Sequence, residues 1–262
     1  MNNLREKIAI VTGASSGIGR ATTLSLARAG ATIVAASRNE AALRTLEREV
    51  QSLRAKACVI PTDVTDRTQL DHLIDKSLQR FGRVDILVCN AGIYPRGPVY
   101  ALTLQDFERC MSVNFYGALY LIQRVLPHML QRKSGHIVVV SSVDGRKGLP
   151  MDAAYVSSKS AITGFMDVLR QEIHGTGVHA STILPGRVDT PMIATLRVPL
   201  VSAKISSDRV AHTVVRAIQN RKAEVIVPYL GPKALVVLSS LSPRFGDWLV
   251  RFFRLEGKEE TT

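Results

Sequence analysis

Apolar runs of strand length alternate with longer stretches of helical period from the start of the chain to about residue 228. Lys7 to Thr12 predicts a first strand, Gly17 to Ala29 a helix closed by Gly30, and Ala31 to Ala36 a second strand. Glu40 to Arg54 is charged but carries Ala42, Leu43, Leu46, Val50 and Leu53 along one side, the spacing of an amphipathic helix. Lys56 to Ile60 then predicts a strand, Arg67 to Phe81 a helix and Asp85 to Cys89 a fourth strand. A long helix over Leu104 to Leu130 follows, which Pro127 should kink or end because proline lacks the N–H that a helix interior needs. His136 to Ser141 is a strand, Asp152 to His174 a helix and Val178 to Leu184 a strand. Ser207 to Asn220 is a helix with Ser207 as its N-cap, and Glu224 to Val227 a last strand.

Strands this apolar on both faces, separated by helices, belong in a parallel sheet covered on each side. The expected class is α/β: a single doubly wound, Rossmann-type domain with a parallel seven-stranded sheet and helices on both faces. No linker or repeat divides the chain, so residues 1–262 are expected to form one domain, with a core over about 5–228 and an apolar, basic tail over about 229–262.

Composition narrows the classes. At 262 residues and 46% hydrophobic, the chain can bury a sizeable core without disulfides or metal. Cys58, Cys89 and Cys110 are scattered and odd in number, and the first and second fall in apolar runs, as reduced core thiols do. The six histidines show no ligand spacing, so no metal is expected. Met1 to Lys7 has no apolar stretch behind its charges, and the longest apolar run, Ala234 to Leu241, is too short to span a bilayer. A cytoplasmic protein is expected. Net charge is +12, with 24 of the 34 cations Arg, but without a Lys/Arg block or aromatic-lined groove. This disfavours nucleic acid and leaves an anionic membrane surface or a phosphorylated cofactor as partners for the charge.

Candidate chemistry starts at the end of the first strand. Thr12-Gly13-Ala14-Ser15-Ser16-Gly17-Ile18-Gly19 is a glycine-rich turn running into a helix, where backbone N–H groups and the helix N-terminus suit a pyrophosphate. At the end of the second strand an NAD site usually offers a carboxylate to the ribose 2′-hydroxyl. Here the chain reads Ala35-Ala36-Ser37-Arg38, and Arg38 with Ser37 suits a 2′-phosphate, so NADP(H) is the expected cofactor.

Tyr155 and Lys159 lie four apart in a predicted helix and so share a face. An ammonium beside a phenol favours the phenolate, which suits proton transfer near neutral pH. Ser141-Ser142 closes the fifth strand at the carboxyl edge, where a hydroxyl could hydrogen-bond a substrate oxygen. Asn90-Ala91-Gly92 follows the fourth strand, and Asn114 sits inside the long helix, where an Asn is locally unfavourable unless it has a tertiary task.

Taken in order, these motifs resemble the short-chain dehydrogenase/reductase family from about Lys7 to Pro228. The resemblance implies that Gly13, Ser15, Ser16, Gly17, Ile18 and Gly19 form the cofactor loop, that Asp63 and Val64 meet the adenine, and that Asn90, Ala91 and Gly92 lie behind the cofactor. It assigns Asn114, Ser142, Tyr155 and Lys159 to the catalytic tetrad and Pro185, Gly186, Val188 and Thr190 to the nicotinamide-side loop. Tyr155 is then the acid/base and Ser142 orients the carbonyl. Lys159 binds the nicotinamide ribose and lowers the Tyr155 pKa, while Asn114 holds a water in a proton relay and Thr190 contacts the carboxamide. A homodimer or homotetramer is implied as well. Many bacterial members, the 3-oxoacyl carrier-protein reductases among them, end in Val-Asp-Gly-Gly. This chain has Val227-Pro228-Tyr229-Leu230-Gly231-Pro232 instead, closer to members that act on steroids, retinoids or other lipid-like carbonyls.

The expected activity is therefore hydride transfer between NADP(H) and a small apolar ketone, aldehyde or alcohol. The alternatives are a non-catalytic dinucleotide sensor or scaffold on the same fold, and a 3-oxoacyl carrier-protein reductase. Residues 231–254 combine eleven large apolar residues with Lys233, Arg244, Arg251 and Arg254 against Asp247, and Pro243 should divide them into two short helices. Such a segment suits a cover over the substrate cleft, a subunit contact or a peripheral membrane contact.

Overall fold

The computed structural model describes residues 4–259. Nine α-helices and eleven strands follow one another along these described residues. They run β1 (Ile8–Thr12), α1 (Gly17–Arg28), β2 (Thr32–Ser37), α2 (Glu40–Ser52), β3 (Ala57–Pro61), α3 (Arg67–Phe81), β4 (Ile86–Cys89), α4 (Leu104–Met111) and α5 (Gly117–Gln131). Next come β5 (Gly135–Val140), α6 (Ala153–Glu172), β6 (Val178–Pro185), β7 (Val188–Asp189), β8 (Leu196–Arg197), β9 (Ile205–Ser206), α7 (Ser207–Gln219) and β10 (Glu224–Val227). The chain closes with α8 (Leu230–Leu241), α9 (Pro243–Phe252) and β11 (Lys258–Glu259).

Seven strands form one parallel sheet in the order β10-β6-β5-β4-β1-β2-β3. Consecutive strand residues point to opposite faces, and both faces are apolar. Ala9, Val11, Ile33, Ala35, Val138 and Ile183 pack with Leu43, Leu46, Val210 and Val214 of α2 and α7. Ile8, Ile10, Val34, Ala36, Ile137 and Val139 pack with Leu70, Ile74, Leu121, Ile122, Ile162 and Met166 of α3, α5 and α6. The sheet is therefore doubly wound, with the strand order reversing between β1 and β4, as the alternating sequence pattern predicts.

Four local expectations change. The long helix is interrupted by a π turn at Ser112–Tyr116, which separates α4 from α5 and contains Asn114. Pro127 does not end α5, which runs on to Gln131. Pro127 and Gln123 both lie on the exposed face, where water can serve the carbonyl that loses its partner. The N-cap of α7 is Ser206, whose hydroxyl accepts from Arg209 N–H at 3.3 Å, while the Ser207 hydroxyl donates to the Asp189 carbonyl at 3.1 Å. Pro243 does start a second short helix, capped by Ser242.

Asp85, expected inside the fourth strand, stands just before it and ties strand starts together. Its buried carboxylate accepts from Ile8 N–H at 2.9 Å and pairs with Arg83 at 3.0 Å and Arg132 at 2.7 Å. Asp85→Ala leaves the Ile8 N–H without its partner and should cost about 2 kcal/mol. The expected sign in urea unfolding is a lower midpoint with an unchanged slope.

Candidate active site

The carboxyl ends of β1 and β4 are stapled to each other. Thr12 Oγ1 accepts from Asn90 N–H at 3.0 Å and from Ala91 N–H at 3.2 Å, and Asn90 Nδ2 donates to the Thr12 carbonyl at 3.1 Å. Gly13 has φ +64°, and a Cβ there would stand 2.9 Å from both Ala91 Cα and Asn90 Nδ2. Gly19 is closed off the same way, since a Cβ would overlap the Gly13 carbonyl oxygen. Ser16 caps α1 without a side-chain hydrogen bond, which leaves the first N–H groups of that helix to the cleft.

A cleft of about 620 Å³ runs from this loop along the strand ends. It is lined by Gly13, Ser15, Ser16, Gly17 and Ile18, by Ser37 and Arg38, by Asp63 and Val64, and by Asn90, Ala91 and Gly92. At its other end stand Tyr155, Lys159 and Thr190. Ser37 is buried with its hydroxyl unpartnered, and exposed Arg38 makes no hydrogen bond or ion pair among the described residues. Asp63 shapes the adjoining turn by accepting from Thr65 N–H at 2.9 Å.

A second, smaller cavity of about 80 Å³ adjoins the first. Ile18, Ser142, Tyr155, Pro185, Gly186, Val188 and Thr190 line it. Ser142 follows β5, accepts from Asp144 N–H at 3.1 Å and donates to the Pro185 carbonyl at 3.5 Å. Its neighbour Ser141 is turned to the core, bonded to Thr163 Oγ1 at 2.8 Å. A larger open hollow of about 1070 Å³ lies around the start of β6, and no predicted site residue lines it.

Lys159 is buried with its ammonium donating to the Val140 carbonyl at 2.9 Å, 5.6 Å from the centre of the Tyr155 ring. Burial lowers its pKa to about 8. Tyr155 also stacks edge-on against Tyr94, with ring centres 4.8 Å apart. Burial raises the Tyr155 phenol above its ordinary value, and the Asp144 carboxylate raises it further, while the Ser142 hydroxyl opposes them. These effects run against the lowering that the resemblance assigns to Lys159.

Asn114 and Gly19 line neither cavity. Asn114 is buried in the π turn, accepting from Ile93 N–H at 2.8 Å and donating to the Ile93 carbonyl at 3.0 Å and Ser158 Oγ at 2.9 Å. The amide thus clamps the loop after β4 to α6, and its donors are already occupied.

Sequence reasoning missed a group of charged and polar side chains around the small cavity. Tyr94 donates to Asp152 at 2.7 Å, Arg96 pairs with Asp152 at 3.2 Å, and Asp144 and Arg187 line the wall. The position of Asp144, two residues past Ser142, is the one local signal that could have found any of them. The tail closes over this group: Arg96 donates to the Glu256 carbonyl at 2.5 Å, Arg187 to the Leu255 carbonyl, and β11 pairs with β8.

A short chain dehydrogenase family model matches residues 7–199, and the chain belongs to that family of nicotinamide-dependent oxidoreductases. It is 40% identical over 198 residues to an uncharacterized oxidoreductase of Listeria monocytogenes, spanning 74% of this chain and 79% of that protein. A ketoacyl reductase of Nostoc is 34% identical across 97% of this chain and 91% of its own length. Among solved structures, an alcohol dehydrogenase from Thermococcus sibiricus complexed with 5-hydroxy-NADP superposes with a TM-score of 0.77 at 26% identity, over 84% of this chain and 95% of that one.

Proposed function

We propose that this protein is an NADP(H)-dependent oxidoreductase that interconverts a ketone or aldehyde and an alcohol, with Tyr155 as acid/base. The observation that carries the reading is the meeting of the Ser142 and Tyr155 side chains in one small cavity that opens beside Lys159 onto the dinucleotide cleft. The nicotinamide, when bound, supplies or accepts the hydride. Ser142 then orients the carbonyl, and Tyr155 gives its proton to the oxygen that gains charge. Lys159, fixed by Val140, holds the ribose from the side of the phenol. A water role for Asn114 fits its backbone better than its occupied side chain. Pro185, Gly186, Val188 and Thr190 form the nicotinamide-side wall, and the intact tetrad weighs against a non-catalytic sensor.

Ile18, Val188, Met192, Ile193 and Leu196 give the small cavity apolar walls, which suits an apolar or lipid-like substrate. A 3-oxoacyl substrate is a second reading, favoured by the likeness to the Nostoc ketoacyl reductase over 97% of this chain and to a 3-oxoacyl carrier-protein reductase of Thermotoga maritima. Residues 1–262 are read as one domain with the tail as its cover, held by the carbonyl contacts of Arg96 and Arg187. Val236 of α8 packs on Val143, Leu184 and Ile226, while Phe245, Trp248 and Phe252 stack outward in an exposed row beside Arg244 and Arg251. That row suits a homo-oligomer contact or an anionic membrane surface. Among the described residues, no helix is long and apolar enough to cross a membrane.

Tyr155→Phe removes the transferable proton alone. Turnover should fall to under about a tenth, with NADPH affinity within a few fold in a fluorescence titration. Retained turnover would remove Tyr155 from the acid/base role.

Cofactor choice turns on Arg38. A charged hydrogen bond is worth roughly 1.5–3 kcal/mol, so Arg38→Ala should cost NADPH about ten- to a hundredfold in affinity and leave NADH nearly unchanged. Arg38→Asp should shift kcat/KM further toward NADH, by repelling the phosphate and offering a carboxylate to the 2′-hydroxyl. An unchanged cofactor ratio in both variants would exclude the phosphate role.

A further inference from the structure

The small cavity holds a carboxylate to which the reading above gives no task. Asp144 sits in the turn Val143–Gly145, half-buried, and lines the cavity shared by the Ser142 and Tyr155 side chains. The Ser142 hydroxyl accepts from the Asp144 N–H at 3.1 Å, so the turn presenting this carboxylate is anchored on the group that would orient a carbonyl.

Charged and polar groups from three segments surround it. Tyr94 and Arg96 come from the loop after β4, Asp152 and Tyr155 from the start of α6, and Arg187 from the loop after β6. The two cations are engaged elsewhere. Arg96 is held by Asp152 at 3.2 Å and by the tail carbonyls, and Arg187 by Ser202 Oγ at 2.9 Å and the Leu255 carbonyl. Among the described residues, no cation forms an ion pair with Asp144. Its carboxylate therefore adds negative potential at the phenol that Arg187 offsets only in part, on a ring whose other charged neighbours are Asp152 and the Lys159 ammonium.

We propose that Asp144 is a positioning residue acting through Tyr155: its carboxylate opposes Lys159 and holds Tyr155 as the phenol, favouring proton donation to a carbonyl over proton removal from an alcohol. The inference rests on the acid/base role given to Tyr155 above. In reduction a hydride adds to the carbonyl carbon, the Tyr155 O–H bond breaks, and the proton forms the alcohol O–H, leaving a phenolate that water reprotonates. In oxidation the phenolate must exist beforehand, and Asp144 disfavours it. Burial and Asp152 raise the Asp144 carboxyl to about 6, against the pull of Arg187 and Ser142. The opposition is present above that value and is lost as the carboxylate protonates on going below it.

Tyrosinate absorbance tests this without turnover. The titration of Tyr155 is isolated by subtracting from each chain its Tyr155→Phe counterpart, with and without NADP⁺. The chains are wild type, Asp144→Asn, Asp144→Ala and Asp144→Glu. The two neutral variants should lower the Tyr155 midpoint by about one unit, and Asp144→Glu should return it toward wild type. A midpoint unmoved in both neutral variants, a Tyr155 signal beyond reach in all four chains, or an equal fall in Asp144→Glu overturns the proposal. The pH profile of NADP⁺-dependent oxidation of 1-phenylethanol should move to lower pH by the same amount in Asp144→Asn. A lowered tyrosinate midpoint in a protein that transfers no hydride from any alcohol or to any ketone would keep Asp144 coupled to Tyr155 and reject the oxidoreductase reading instead.

Discussion

A parallel sheet buried on both faces confines its chemistry to the strand ends. In this protein nearly every inward position of β1, β2, β4 and β5 is Ala, Val, Ile, Leu or Cys. Strand order reverses between β1 and β4, so the helices leaving the two strands diverge and open a crevice at their tips. Thr12 and Asn90 hold those tips together. Gly13 and Gly19 let the loop above them fold without a side chain in the way. The cleft, the exposed N-terminus of α1 and the approach of α6 to β5 all depend on that junction.

Charge inside the site is arranged as an opposition. Lys159 is removed from water and steadied by one backbone carbonyl, which brings its pKa down to about 8 and keeps it close to losing its proton. Asp144 lines the small cavity with a carboxyl raised to about 6. Between them, Tyr155 is moved by burial toward the neutral phenol. A bound oxidised nicotinamide would add positive charge on the Lys159 side, so the balance at Tyr155 depends on cofactor state as well as on pH.

The fold was legible because its signals are local. Period-two and period-3.6 patterns mark the strands and helices, and Tyr155 and Lys159 meet because four residues make about one helical turn. Arg38 stands where the pattern put it, just past β2 on the wall of the cleft. What could not be read lies in contacts without local spacing. Tyr94 and Arg96 come from one loop, Asp152 from the start of α6 and Arg187 from the loop after β6, and Arg96 finds its carbonyl 160 residues away. The π turn at Asn114 was hidden because one extra residue in a helical turn leaves the apolar pattern nearly unchanged. Ser206 displaced Ser207 as a cap because two adjacent serines carry the same capping chemistry.

The most direct test follows the hydride itself. NADPH deuterated at the transferable position of its nicotinamide ring is incubated with the protein and a panel of aliphatic, aromatic and steroid ketones, and the alcohols are analysed by mass spectrometry. One deuterium on the carbinol carbon of at least one product is expected, with under about a tenth as much deuterated alcohol formed when Tyr155→Phe replaces the wild type. Products lacking deuterium, or equal incorporation by Tyr155→Phe, would contradict hydride transfer at this site.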